Sequence, residues 1–426
     1  MKKVIYVLLV LLSCTITLFA SGQKEGNDSS KVVLKVANYA LLESGYEQFW
    51  KDVETNFESK NPNIDIEWVS APYGEIMNQV INMAGGGDKV DCIFSEIDWI
   101  PGFEDAGLAA PIEDILPQSF INDLYPDVMK AFEIDGSAYG VPLYISPYVL
   151  YYNKTLFEQA GLDPNTPPKT YDEMLMMAKK LSQLKDSNGN KVYAFGQTTA
   201  SVPVSGSSVN AMIFNFGGTV LDDNGKLAVD NDGFKKAINM LKTLDDLSYN
   251  PQNAKLKDLR NLFALGQLAM YYDQSWGFNG VRTINPDAEN FTASAAPLVG
   301  ANGSGQSLLQ SHCFILVDNG EQRKEALSKF VQYVISEDVL ADYLSNLTPA
   351  YPAIKSMANL DSINNNPVLK GAAQSASNVK AQPFIPQLKD INLELCTLAQ
   401  AVTVGDESVS TAIEKFKNRA QSKLSE

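Results

Sequence analysis

The sequence has little of what catalytic and metal sites depend on. Its one histidine, His312, excludes both a histidine-rich metal site and a relay between two histidines. Arginine occurs only four times, although anionic ligands are bound mainly through arginine and lysine. A formal charge of −16 repels phosphate backbones, so nucleic acid is not expected as a partner. No metal or organic cofactor is implied.

Cysteine and long apolar runs are also scarce. Besides Cys14 there are three cysteines, Cys92, Cys313 and Cys396, and their odd number and wide spacing give no disulfide framework. Cys92 and Cys313 lie in apolar, strand-like segments, which predicts buried thiols. The longest apolar run, residues 4–19, falls short of the ~20 residues that a membrane-spanning helix needs.

That run belongs to a secretory signal peptide, residues 1–20. Two lysines precede it, and polar residues begin after Ala20. Two processing schemes are open: cleavage after Ala20, or lipidation of Cys14 within a lipobox-like segment. Cleavage after Ala20 is favoured, because lipidation would leave apolar residues at the head of the tether, residues 21–30. The protein is expected to be exported, either periplasmic or anchored to the membrane as a lipoprotein.

Apolar periodicity alternates between strand and helix in the first part of the mature chain. Residues 32–37, 64–68 and 91–94 have strand patterns, whereas residues 46–57 and 76–84 place apolar side chains on one helical face. This order predicts a mainly parallel sheet covered on both faces. About 400 mature residues exceed what one core can hold, which predicts two or more lobes.

Short segments spread over nearly the whole chain carry a family resemblance. They are FESKNPNI (57–64), GDKVDCIF (87–94), YGVP (139–142), LYYNKTLF (150–157), GL (161–162), PKTYDE (168–173), FALGQLAM (263–270) followed by Trp276, FVQYV (330–334) and TPAY (348–351). In order and spacing these segments resemble the bacterial extracellular solute-binding proteins of the carbohydrate class, which include maltose-binding proteins.

The resemblance implies an α/β protein with a two-lobed, type II periplasmic-binding-protein-like fold and hinge crossovers. The first lobe would comprise residues 31–142 and 298–348, and the second residues 143–297 and 349–426. Such a protein captures a solute by closing its cleft and delivers it to a membrane-embedded ABC permease. A monomer without enzymatic activity is expected, and a mono- or oligosaccharide is the expected solute.

A sugar offers apolar C–H faces and hydroxyl groups, so it needs an aromatic platform and polar side chains placed after strands. Trp276 follows a predicted strand, and Gly277 beside it would let the backbone approach a ligand. By the resemblance, Trp276 stacks on the sugar and Asp98 accepts hydroxyl protons. Ser95 stands where relatives can carry an aromatic side chain, and Trp99 could replace it.

Further ligand contacts are predicted with alternative structural roles left open. In an extended backbone Glu96 and Asp98 would point the same way and could share one sugar, although Glu96 could equally belong to a solvated loop. Trp276 could instead pack the lobe, and His312 could be structural. The remaining candidates are Tyr39, Glu43, Tyr144 and Gln197.

Two other functions compete with sugar binding. A polyamine or another non-sugar solute would suit Glu96, Asp98, Asp273 and the aromatic residues. A secreted glycoside hydrolase is less favoured, because its two carboxylates must flank the scissile bond ~5–9 Å apart, and two acids in one short loop fit this poorly.

Overall fold

The computed structural model describes residues 31–43, 45–358, 360–373, 378–383 and 385–425. The predicted signal peptide with its cleavage site at Ala20, the tether and Cys14 lie outside the described residues. Within the described ranges, no helix is long and apolar enough to cross a membrane.

The chain alternates between strands and helices along its length. The strands are β1 (Val32–Ala37), β2 (Ile64–Val69), β3 (Cys92–Glu96), β4 (Glu133–Ile134), β5 (Ser137–Ala138), β6 (Val141–Pro142), β7 (Tyr144–Ile145), β8 (Tyr148–Asn153), β9 (Met270–Gln274), β10 (Thr292–Ala295), β11 (Ser307–Leu308), β12 (His312–Leu316), β13 (Tyr351–Pro352) and β14 (Val379–Lys380). The α-helices are α1 (Glu47–Lys60), α2 (Ile76–Gly85), α3 (Ile100–Asp105), α4 (Gln118–Ile121), α5 (Pro126–Met129), α6 (Lys154–Gln159), α7 (Tyr171–Leu181), α8 (Pro203–Asn215), α9 (Asp232–Asp246), α10 (Leu256–Ala264), α11 (Phe278–Ile284), α12 (Ala288–Phe291), α13 (Glu321–Val334), α14 (Glu337–Asp342), α15 (Asp361–Asn365), α16 (Pro367–Ala372), α17 (Leu388–Val402) and α18 (Val409–Leu424).

A five-stranded sheet of order β2-β1-β3-β12-β6 organises the first core, which includes Leu34, Trp50, Phe94 and Phe314. The predicted parallel pairing of the first three strands is confirmed. β12, which arrives from much later in the chain, runs antiparallel to β3. His312 is the first residue of β12. The helix α1 buries Trp50 because apolar residues recur there at steps of three and four.

The second core, which includes Leu150, Phe195, Leu241 and Phe416, lies on one face of the three-stranded sheet β10-β8-β9. A smaller cluster with Tyr151 and Phe263 covers the opposite face. Successive residues of a strand point to opposite faces. Because the two clusters cover both faces of the sheet, all six residues of β8 are buried. A nearly continuous apolar strand therefore marks the centre of this lobe.

Three passages of the chain connect the first lobe, built on the first core, with the second lobe, built on the second core. The strand β7, beside the first passage, pairs antiparallel with β13, which belongs to the third passage. The core changes between Ile145 and Tyr148, and again between Leu308 and Leu309. After position 348 the chain still packs on the first core as far as Leu369. The predicted lobe boundaries remain a prediction, and packing places each change of core later along the chain.

Candidate functional site

Two parallel strands and one antiparallel strand meet at the edge where the first-lobe site forms. β1 and β3 end there, and β12 begins there, with the Cα of His312 paired opposite Glu96. Asn38 follows β1, and its side-chain oxygen accepts a hydrogen bond from the backbone N–H of Ala40 at 2.8 Å. This cap starts the short 3₁₀ turn that carries Tyr39 at the strand edge.

Three aromatic rings pack together at this edge, and we call Tyr39, Tyr73 and Trp99 the aromatic cluster. The ring centroid of Tyr39 lies 5.1 Å from that of Tyr73 and 5.7 Å from that of Trp99. Tyr73 and Trp99 are 5.3 Å apart. Tyr39 is buried and Trp99 is half-buried, whereas Tyr73 is 44% exposed. Such spacings are typical of edge-to-face and offset aromatic contacts.

Hydrogen bonds connect the aromatic cluster to Glu96 and His312. The Tyr73 hydroxyl donates to Oε2 of Glu96 at 2.9 Å, and Nε2 of His312 lies 3.5 Å from Oε1 of the same carboxylate. The same His312 nitrogen is 3.2 Å from the Tyr39 hydroxyl. One carboxylate oxygen of Glu96 therefore accepts a hydrogen bond from Tyr73, and the other lies near the His312 ring.

Asp98 has a different environment from Glu96. The expectation that the two side chains point the same way from an extended backbone is wrong, because Asp98 lies in the 3₁₀ turn Ile97–Trp99. Burial, with the negative charge of Glu96 as a second cause, raises the pKa of Asp98 from 3.8 to about 7. Near neutral pH, Asp98 can therefore both donate and accept a hydrogen bond.

Several buried polar atoms of the two lobes have no hydrogen-bond partner among the described residues. They are the hydroxyl oxygens of Tyr144, Tyr148 and Tyr343, Oε1 of Gln274 and Nδ1 of His312. Tyr144 connects this group to the first-lobe site, because its ring lies 5.2 Å from the His312 ring. A buried polar atom without a partner is costly, so such atoms favour occupation by ligand hydroxyl groups or water.

The second lobe contributes Trp276, which lies in the 3₁₀ turn Ser275–Gly277 directly after β9. Its half-buried ring packs against the first core, so it reaches across from one lobe to the other. The guanidinium carbon of Arg260 lies 4.7 Å from the centre of the Trp276 ring. Asp273, fully buried, holds Arg260 through two hydrogen bonds of 2.6 and 2.8 Å. Arg260 thus supports Trp276 by a cation–π contact.

Gly277 has a packing role in addition to the predicted approach to a ligand, which stays a prediction. A Cβ atom at this position would lie 2.2 Å from Oδ2 of Asp273. The glycine is therefore required for the packing of the buried carboxylate, which in turn positions Arg260 beneath Trp276.

Two predicted site residues do not join these contacts. Gln197 is buried, its amide donates to the Ser208 hydroxyl at 2.9 Å, and its backbone N–H donates to Asn250. Glu43 is exposed at the end of the 3₁₀ turn that carries Tyr39. The structure thus brings together Tyr39, Glu96, Asp98, Trp99, Tyr144 and His312, and Trp276 from the second lobe packs against the first core.

Tyr73 was missed by sequence reasoning, although a usable signal existed. It lies in the loop after β2, which pairs in parallel with β1, so both strands end at the same edge. The position after a strand of the parallel sheet, which points to Tyr39 and Asp98, points equally to Tyr73. Among the described residues no group of three histidine, cysteine or acidic side chains is arranged to hold a metal ion.

A two-lobed α/β fold with aromatic and polar side chains at the strand ends between its lobes defines the class of type II periplasmic-type binding proteins. Residues 54–371 match the family described as bacterial extracellular solute-binding protein, and the chain belongs to this family. It is accordingly an exported binding protein of the kind that serves ABC importers.

Individual relatives are distant but cover most of the chain. A binding protein of Brucella abortus is 24% identical over 89% of both chains. The maltotriose-binding protein of Pyrococcus abyssi is 22% identical and covers 83% of this chain and 74% of its own. The crystal structure of a cyclic α-maltosyl-1,6-maltose binding protein from Arthrobacter globiformis superposes with a TM-score of 0.80 at 19% identity, covering 92% of this chain and 99% of that one. The predicted fold class is confirmed.

Proposed function

We propose that this protein binds a neutral mono- or oligosaccharide between its two lobes and delivers it to a membrane-embedded ABC permease. The observation that carries the proposal is the combination of the aromatic cluster with two buried polar atoms beside it, the Tyr144 hydroxyl and Nδ1 of His312, that have no partner among the described residues. Rings cover the apolar faces of a sugar, and unpartnered polar atoms bind its hydroxyl groups. The direct contacts we propose are Trp276, Asp98, Tyr144 and His312.

The charges near the site support a neutral ligand. The guanidinium of Arg260 lies against the Trp276 ring, and it is already paired with the carboxylate of Asp273. An anionic ligand would need to compete for this guanidinium and would leave a fully buried carboxylate unpaired, which is costly. The relatives named for maltotriose and for a cyclic maltosyl-maltose agree with a neutral sugar.

The remaining expectations belong to the same proposal. Cleavage after Ala20 would release the mature chain, and lipidation of Cys14 is the alternative. The lobes are proposed to comprise residues 31–142 with 298–348, and residues 143–297 with 349–426. A monomer that binds without turnover is expected, and Glu43 and Gln197 remain predicted ligand contacts.

A polyamine is the second candidate, because Glu96 and Asp98 place two acidic groups beside aromatic rings. Two contacts weigh against it. Tyr73 already donates a hydrogen bond to Glu96, and Arg260 neutralises Asp273. A glycoside hydrolase is disfavoured for the first of these reasons, since Glu96 is committed within the protein.

Thermal unfolding of a chain starting at Gly22, measured against a panel of sugars and polyamines, tests the proposal. A hundredfold excess of ligand over its dissociation constant adds ~2.7 kcal/mol to the folded state. In a chain of this length, that raises the melting temperature by ~2 °C or more. We expect such a shift with one class of sugar, and its loss in Trp276→Ala.

Tyr193→Ala is the matched control, because Tyr193 is another half-buried second-lobe ring with a cation, Lys191, at 4.7 Å from its centre. This variant should keep the sugar shift. A shift with spermidine but with no sugar would overturn the proposal in favour of the polyamine. Colour release from chromogenic glycosides would contradict binding without turnover.

A further inference from the structure

We infer that Tyr73 is the aromatic platform of the first lobe and that Glu96 is the positioning residue that holds it, an inference that rests on the proposed sugar binding. The second lobe supplies Trp276, and a sugar held between two lobes has a second face to cover. Ser95 stands where relatives can carry an aromatic side chain. It is fully buried within β3 and cannot provide a stacking surface for a ligand.

Trp99 is less suited to this role than Tyr73. The Trp99 ring is half-buried and is contacted by Tyr39 and by Tyr73. Tyr73 is the outermost ring of the aromatic cluster and keeps 44% of its surface exposed. Stacking a sugar on Tyr73 would therefore remove apolar surface from water without first displacing a protein contact.

Tyr73 is also fixed in its orientation before any ligand arrives. Its ring meets Tyr39 edge to face at an interplanar angle of 77°, and its hydroxyl donates to Glu96 at 2.9 Å. Burial by neighbouring groups and the charge of Glu96 raise the pKa of Tyr73, so the hydroxyl stays protonated and remains a donor. A side chain that is already ordered loses little conformational entropy when it binds.

The two carboxylates of this loop therefore have different roles. Glu96 uses Oε2 for Tyr73 and places Oε1 near His312, so it acts on the ligand through these two rings. Asp98 makes no hydrogen bond within the described residues and keeps both oxygens for a sugar hydroxyl. The acidic loop therefore combines one positioning carboxylate with one that contacts the ligand.

Calorimetric titration with the sugar that gives the largest thermal shift tests this assignment. Tyr73→Ala should weaken binding at least tenfold, since truncation of a central aromatic contact costs more than ~1 kcal/mol. Tyr73→Trp restores a ring and should bind within a few-fold of the wild type. Tyr333→Ala is the matched control, because Tyr333 is a half-buried first-lobe tyrosine on α13 with Lys60 at 5.0 Å from its ring.

The positioning role has its own readout, which general destabilisation would not reproduce. Tyr73→Phe and Glu96→Leu should each weaken binding less than Tyr73→Ala. The double variant should be no weaker than the worse single variant, because both changes remove the same hydrogen bond. Additive losses would show that Glu96 contacts the ligand directly and would overturn its positioning role.

The outcomes separate this inference from the proposed function. Wild-type affinity in Tyr73→Ala together with lost binding in Trp276→Ala would overturn the Tyr73 platform and leave sugar binding intact. A wild-type protein that binds no sugar in the panel would overturn both. If Tyr73→Ala fails to fold, judged by the melting temperature without ligand, weak binding by a folded Tyr73→Leu variant would support the platform, and wild-type affinity would overturn it.

Discussion

At the residue scale, three aspartates have different environments in the folded protein. Asp91 is fully buried, accepts hydrogen bonds from the backbone of Lys35 and from Asn319, and is paired with Arg323. Asp273 is fully buried and held by Arg260. Among the described residues Asp98 has neither a cation nor a donor, and burial together with the charge of Glu96 disfavours its charged form. Two carboxylates therefore stabilise the lobes, and the third is left for a ligand.

Asp98 should make the stability of the protein depend on pH in an unusual direction for an acid. Its folded pKa of about 7 lies above the unfolded value of 3.8, so the folded state holds one more proton between these values. The contribution of Asp98 to the free energy of unfolding is fully present below about pH 4. It decreases as the pH rises to about 7 and is constant above that. Asp98→Asn should flatten this fall, which urea unfolding midpoints from pH 4 to 8 would measure.

Asp163→Asn serves as the control for that experiment. Hydrogen bonds from the Asn165 backbone and from Thr166 lower the pKa of Asp163, so its contribution is lost only as pH falls into the acid range. This variant should leave the slope between pH 5 and 7 unchanged. An equal slope in wild type and Asp98→Asn would show that Asp98 is ionised in the folded protein.

At the scale of elements, α8 is a helix whose sequence, PVSGSSVNAMIFN, is polar in its first half and yet buried from Ser205 to Asn215. It packs against α17, where the Asn392 side chain donates to the Ser207 hydroxyl at 3.2 Å. The backbone of α17 also approaches Gly206 so closely that a Cβ there would lie 2.0 Å from the Asn392 carbonyl oxygen. Small residues on α8 thus permit a close contact between two helices of the second lobe.

Gly206→Ala should destabilise the protein although alanine is the better helix former. The gain in helix propensity is about 1 kcal/mol, whereas forcing a methyl group against a backbone carbonyl costs roughly 1–3 kcal/mol and shifts the helices apart. A net lowering of the urea midpoint is expected. Gly85→Ala is the matched control, because Gly85 is the last residue of α2 and its Cβ position is open. An increase in stability for Gly206→Ala would show that the two helices can separate freely.

At the scale of the whole molecule, the carbonyl of Leu347 is a point where the lobes are joined directly. It accepts a hydrogen bond from the Tyr46 hydroxyl of the first lobe at 3.2 Å. It also accepts one from the side-chain amide of Asn279, on α11 of the second lobe. Leu347 ends a π-helical turn, Tyr343–Leu347, that precedes the third passage between lobes. The hydrogen bond from Tyr46 lies within the first lobe, and the one from Asn279 connects the two lobes.

Asn279→Ala should weaken closure without affecting the ligand contacts proposed above. Loss of one hydrogen bond worth roughly 0.5–1.5 kcal/mol corresponds to a decrease in sugar affinity of about two- to tenfold. The radius of gyration without ligand, measured by small-angle X-ray scattering, should increase, and the saturated value should match the wild type. Asn285→Ala is the control, because its amide donates to Ala264 within the second lobe. Equal changes in both variants would contradict a specific role for the Leu347 contact.

Much of the molecule was predictable from the sequence because the signals are local. The alternation of β1, α1, β2, α2 and β3 follows from periods of two and 3.6 residues, and each period requires only near neighbours in the chain. The family segments depend on order and spacing, which are also properties of the linear chain. The positions of Trp276 and Asp98 directly after strands were predicted on the same basis, since ligands of α/β sheets bind after strands.

Only the tertiary structure determined which role each residue at the strand ends has. The sequence by itself determined the strand edges and the types of side chain available at them. It could not show that Glu96 accepts a hydrogen bond from Tyr73 and lies near His312, that Gly277 makes room for Asp273, or that Leu347 joins the lobes. Each of these contacts links residues brought together by folding, and hydrogen-bond partners, burial and pKa depend on distances in space and not on positions along the chain.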